Sequence, residues 1–516
     1  MKLYAITTPQ GVFNAMVNST STPDDFVNID EKIAALKLAA IDAYMYYYSW
    51  ERKGDHYEPS MNNITEMPSI FDVLDHPPRV TRPGSDGEGG GDWSCSNWDI
   101  GKKVFGAWND KSYGDAFEKI RTRIHDAIAP WKPSFPTHWS IQAEADAGWQ
   151  AISEISTGSV KYRKIVDKGG TDGDSEETTS PETPGLVEAF DGVKTDCNTM
   201  KGNFADSIKL NFYDNLRGVT NNLRDAAIYW NSSLNAEAAI FKEVRKSVSK
   251  VIDDARSACE TLASGGNPPS LIATLKLVDA VAKMATAAGQ EHPDPGSVTS
   301  AATETAIATI ELNDSMEVDI EGDGQGAKAG DYDDVLKFVE SSLKSVSEKM
   351  RRAESAVEKS INSKLDEMSG GGKSSYDLQF EPVTDSSEFT KVDDATLKRL
   401  STNRLPTISG HLRTCADKIM SVSMSNVVIR NVNCGYGAHG PSGGFEEMRE
   451  TLGNLLRDLA WEVENGAANI ETGRKLTESA DEDNRNAFDQ KLRDIADKKD
   501  KRSDIKMGHG HRWDLS

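Results

Sequence analysis

The side chains that could do chemistry in this sequence fall into a few short groups. Asp319, Glu321 and Asp323, followed by Gly324, repeat the opening of a calcium loop, where alternate oxygen ligands precede a sharp glycine turn. A bidentate glutamate belongs at the twelfth position of such a loop. Here that position is Gly330 and no helix leads in, so the stretch reads as an acidic solvent loop. Asp481, Glu482 and Asp483 make a denser patch, open to a cation, to a partner, or to no more than a solvated helix face. His509 and His511 flank Gly510, and two imidazoles without a third ligand hold a transition metal weakly. Cys434 and His439 in CGYGAHG imitate a thiol and its base, but such partners meet in space rather than along the chain, and the glycines read as a turn between helices. His125 and His138 stand near Trp131 and Trp139 and read as packing residues. No Walker A, GxGxxG, HExxH or GxSxG motif occurs. No catalytic residue, metal ligand or cofactor is therefore assigned.

Composition narrows the partners. With 82 acidic and 59 basic residues the net charge is −23, which repels a phosphate backbone unless a local basic patch intervenes. The nearest candidates, Lys344 to Arg352 and Lys498 to Arg502, are interrupted by Glu348 and Asp500 and read as solvated helix faces. The most apolar segment, Ile33 to Trp50, still holds Lys37 and Asp42 and is too short to span a membrane. The N-terminus MKLYAITTPQG lacks the apolar core of a secretory signal peptide, so cytoplasmic synthesis is expected, with any export taking a route that reads no such peptide. Five dispersed cysteines and no CxxC indicate neither a zinc cage nor a disulfide framework.

The elements that must position these residues are helices. Phe204, Ile208, Phe212, Leu216, Val219, Leu223, Ala226, Trp230 and Leu234 recur at spacings of three and four, the stripe of an amphipathic helix, and the run continues to Cys259. A shorter stripe from Leu186 to Met200 precedes it, with a turn at Lys201 to Asn203. Further stripes run from Leu336 to Leu365 and from Phe445 to Leu476. Phe117 to Trp131 and Trp149 to Ile155 predict an N-terminal helical hairpin with a proline-stiffened loop. Ala306 to Ile320 and Val427 to Val432 are the β-branched runs, and PGSDGEGGGD at Pro83 to Asp92 reads as flexible.

The expected fold is all-α, with elongated helical hairpins, coiled-coil-like bundles, minor short strands and flexible loops. Its regions are a Trp-rich helical region over 1–167, an acidic linker over 168–184, a long helical region over 185–368, a linker over 369–389, a helical hairpin over 390–495 and a charged tail over 496–516.

Residues 185–260 resemble the WXG100 superfamily of type VII secretion proteins in its longer actinobacterial form. The family has a helix, a Trp-x-Gly turn and a second helix; Met200-Lys201-Gly202 stands at that turn, followed by Phe204. Residues 440–492 are similar to the secreted partners of this class, which end a second helix in Tyr-x-x-x-Asp/Glu. Thr477 takes the tyrosine place and Asp481 the acidic one, with Glu482 and Asp483 beside it. The resemblance implies hairpins that pair with another helical hairpin protein or with secretion machinery, as homo- or hetero-oligomers. On it, Met200, Gly202, Phe204 and Trp230 are the expected partner-contact residues. The sequence leaves three readings: a type VII secretion substrate or accessory partner, an intracellular or virion coiled-coil structural protein, and a toxin or enzyme within residues 1–167 carried by a helical module.

Overall fold

The computed structural model describes residues 26, 28–60, 78–94, 113–132, 135–158, 160–165, 175–180, 182–268, 330–369, 375–378, 389–391, 393–425 and 427–478. Helix α1 (Ile29–Tyr47) leads into an antiparallel meander of β1 (Trp50–Lys53), β2 (His56–Pro59), β3 (Arg79–Thr81) and β4 (Trp93–Ser94). Helices α2 (Tyr113–Ile128) and α3 (His138–Ile152) follow, then the hairpin β5 (Val160–Ile165) and β6 (Ser175–Ser180). Helix α4 (Pro184–Thr199) ends at a short strand β7 (Lys201–Gly202). Helix α5 (Asn203–Lys209) passes through a π-helical turn, Leu210–Asn215, into the long helix α6 (Leu216–Ala263). Helix α7 (Tyr332–Ser369) and strand β8 (Phe389–Lys391) precede α8 (Asp394–Arg399), a second π-helical turn at Leu400–Arg404, α9 (Leu405–Ser421) and α10 (Ser442–Glu478).

The all-α expectation holds: the chain is mainly helical, with minor strands. Its organising element is α6, against which α1, α3, α7 and α10 all pack. Every residue from Leu234 to Phe241 is buried, more than two turns without a solvent face. The stripe at spacings of three and four shows only some of this. Ala236, Ala238 and Ala239 add little apolar weight to a pattern, yet their small side chains let helices approach from the remaining sides.

Several local expectations change. The helices α2 and α3 separate instead of closing a hairpin; α2 lies on α1 and α7, and α3 on α6 and α9. Helix α4 meets α5 and the first π turn, then turns its face to α9. Within the C-terminal region α9 and α10 pack closely on one another, and residues 479–495 lie outside the described residues. The glycine-rich stretch at Pro83 to Asp92 is pinned: Arg121 Nε donates to Gly87 O at 2.7 Å, and Lys37 pairs with Glu88. Composition registers glycine's freedom in the unfolded chain, whereas here the carbonyls it exposes are what Arg121 binds. Some of the expected linker over 168–184 is strand β6, whose Ser175–Ser180 pairs with β5. Val427 to Val432 forms no strand, because Arg430 turns inward and its loop bonds to itself and to α7. Ala306 to Ile320 lies outside the described residues.

Candidate partner-binding site

The connection between α9 and α10 carries the most unusual chemistry in the described chain. Glu237 on α6 and Glu354 on α7 face one another in the core, and both are fully buried. Arg430 reaches them from the connecting loop, with a side chain that has no exposure. Its Nη2 donates to Glu354 Oε1, its Nε donates to Cys434 O at 3.1 Å, and its guanidinium lies 5.1 Å from the centre of the Phe241 ring. The other Glu354 oxygen accepts the Tyr436 amide at 2.8 Å.

Two carboxyls and one guanidinium cannot all be ionised cheaply in a dry core. Burial and the facing Glu354 carboxylate push the Glu237 carboxyl well above the usual range. Burial raises Glu354 too, but Arg430 and the Tyr436 amide pull it back. No donor among the described residues reaches either Glu237 oxygen, so that carboxyl supplies its own hydrogen. Both carboxyls are held above the usual range, Glu237 further than Glu354, and Glu354 is the one that keeps the Arg430 guanidinium as its partner.

This cluster fixes the loop from below. Ser347 on α7 adds a second anchor: its hydroxyl donates to Asn433 O at 2.8 Å and accepts the Gly435 amide at 3.0 Å. Within the loop, Arg430 N donates to Ala438 O at 3.1 Å, and Asn433 N to Asn431 Oδ1 at 2.9 Å. Gly435 has φ +58, and a Cβ there would come within 2.3 Å of Glu354 Oε2. Arg430 points inward together with Val428 and Cys434, whereas Ile429 is 44%, Val432 69% and Tyr436 42% exposed. At Arg430 and these three exposed positions the usual partition between core and surface is reversed.

The thiol of Cys434 belongs to the anchoring. Its Sγ donates to Pro130 O at 3.1 Å, and burial pushes its pKa up to about 12, so it stays protonated. A thiolate paired with His439 is not what this loop holds. The expectation that its glycines make a turn between helices agrees with the structure.

The other expected site residues are dispersed. Met200 is buried at the end of α4, its amide donating to Cys197 O at 3.2 Å. Gly202 lies in β7, which pairs with β8, and Phe204 is in the first turn of α5. Trp230 is buried in the middle of α6, with its indole Nε1 donating to Phe445 O at 3.2 Å. Met200 and Trp230 are thus covered by the chain itself. Thr477 falls in the last turn of α10, while Asp481, Glu482, Asp483, the Asp319 to Asp323 loop, His509 and His511 lie outside the described residues. His138 is buried beside the Trp139 ring, and His125 is exposed next to Asp126.

Among the described residues, no group of three or more His, Cys, Asp or Glu is placed to hold a metal ion, and no helix is long and apolar enough to cross a membrane. Compared with protein-family models, curated proteins and solved structures, the chain matches none. Sequence reasoning missed Arg430, Glu237 and Glu354, which come from three distant segments. One signal was present: a single glutamate inside the apolar run LNAEAAIF.

Proposed function

We propose that this protein works by protein–protein contact and that the loop from Val427 to Pro441 is a contact surface. The observation that carries the reading is the loop's inverted partition, with Arg430 buried in a bonded cluster and Ile429, Val432 and Tyr436 presented to solvent. A loop already ordered before binding loses little conformational entropy when it docks, so exposed side chains on it convert burial into affinity efficiently. A photo-crosslinking residue at Val432 tests this in cells, with one at exposed Lys359 on α7 as control. A discrete crosslinked product at 432 and none at 359 is expected; equal labelling at both positions would remove the loop from the interface.

The resemblance at residues 185–260 and 440–492 narrows the reading to a type VII secretion substrate or accessory partner. Its support is the placement of Thr477 at the end of a helix that pairs with another in a hairpin. Tagged protein would be followed in medium and lysate, with and without the type VII ATPase, and with Asp481 and Asp483 changed to alanine. ATPase-dependent export lost in the variant is the expected result. Protein held in the lysate in every strain would leave an intracellular helical scaffold as the better account.

A further inference from the structure

The loop from Val427 to Pro441 lies on a side of α7 whose charge runs against that of the chain. Between those two residues there is no aspartate or glutamate, in a sequence of net charge −23. The loop is seated on Ser347, whose hydroxyl holds both Asn433 O and the Gly435 amide, and on Met350 and Glu354, which a Cβ at Gly435 would strike. Ser347, Met350 and Glu354 share one line along α7, because steps of three and four residues return a helix to nearly the same side. Lys344 stands three residues before Ser347 and Arg351 four after it, so both flank this seat, and both are exposed. Neither forms an ion pair among the described residues, whereas Lys337 and Lys364 on the same helix each hold a carboxylate. Glu348 is the one acidic residue between them in sequence and bonds to neither; Glu358 faces the Tyr436 hydroxyl.

Resting on the reading of this loop as a contact surface, we propose that its partner is a protein segment that carries carboxylates beside apolar side chains. The apolar side chains meet Ile429, Val432 and Tyr436, which the loop exposes; the carboxylates meet Lys344 and Arg351 at its edge. Seven residues of α-helix rise about 10 Å, which sets the interval between the two cations along α7. Carboxylates about seven residues apart on a partner helix, or about three apart on a strand, match that interval. A nucleic-acid backbone shares the negative charge but brings no apolar side chain to cover Val432, so the combination favours an acidic polypeptide. A second copy of this same face would set Lys344 and Arg351 against their own kind, and like charges at the edge of a patch reject such a pairing.

The test adds charge reversal to crosslinking at Val432. In the full chain, the photo-crosslinking residue there is combined with Lys344→Glu and Arg351→Glu. The control pair, Arg352→Glu and Lys359→Glu, changes net charge equally on the same helix. All four side chains are exposed, and far-UV circular dichroism checks that both double variants fold. The product at 432 should fall at least about tenfold in the first double variant and less than about twofold in the control. Mass spectrometry should place the crosslink in a partner segment where Asp or Glu stand within about seven residues of an apolar side chain. That segment, made as a synthetic peptide, should bind the wild type at least about tenfold more tightly than the first double variant, with an affinity that falls as salt rises. Crosslinking indifferent to Lys344 and Arg351, a segment without carboxylates, a product removed by nuclease, or a crosslink to this chain itself would overturn the proposal and leave the loop a contact surface for something else. No product at 432 with Lys344 and Arg351 intact would overturn the reading of the loop as well.

Discussion

Glu237 shows how one buried side chain sets a pH response. In the folded chain its carboxyl holds a proton more tightly than when unfolded. The stability it contributes is therefore complete below the ordinary glutamate value and is lost as the pH rises through its raised value. Glu237→Gln keeps the neutral shape without the titration. The wild type should lose stability relative to the variant as the pH rises above the ordinary glutamate range, as read by urea unfolding at each pH. Arg430→Met removes the partner of the buried Glu354 carboxyl and the donor to Cys434 O; a loss of about 3–5 kcal/mol is expected in the same assay at neutral pH. Gly435→Ala should cost about 1–2 kcal/mol through its left-handed backbone alone, and more because its Cβ meets Glu354.

At the scale of elements, close approach decides the packing. Helix α3 crosses α6 at Gly148, where a Cβ would lie 2.1 Å from Asn231 Oδ1. Asn231 is fully buried and hemmed in by its neighbours, so it cannot swing away. Gly148→Ala would raise helix propensity in an isolated α3 but should destabilise the protein by about 1–3 kcal/mol, seen as a lower midpoint of thermal unfolding. The same logic explains which element boundaries could be read in advance. The ends of α7 and α10 were legible, since Asp331 stands before one and Ser442-Gly443-Gly444 opens the other. The four-stranded meander was not, because its strands run only two to four residues and carry as many charged as apolar side chains. Trp50–Lys53 and His56–Pro59 pair through the turn at Gly54-Asp55, a hairpin signal too short to stand out against helical stripes on both sides.

The described residues share one hydrophobic core, running from Phe26 through α6 to Ile470. Helices from the N-terminal, middle and C-terminal regions of the chain all lean on α6. The fragment 1–167 on its own would expose Ile141, Ala145, Trp149 and Ile152, side chains buried in the intact chain. That fragment should therefore show weak near-ultraviolet circular dichroism and rapid proteolysis, while the intact chain resists. Equal protease resistance in both would mean that the N-terminal region holds its fold without α6.

The sequence by itself determined the helical class, because spacings of three and four are a property of neighbouring residues. It determined the long helices and the break between α4 and α5 near Lys201 to Asn203. Only the tertiary structure decided which stripes face each other, that Leu234 to Phe241 is enclosed on every side, and that Glu237, Glu354 and Arg430 meet. It also decided that the loop after α9 settles on Ser347, beside Lys344 and Arg351. The physical reason is the same in each case. A periodic pattern records how a residue relates to the next turn of its own helix, whereas burial, proton affinity and ring contacts depend on side chains that arrive from distant stretches of the chain.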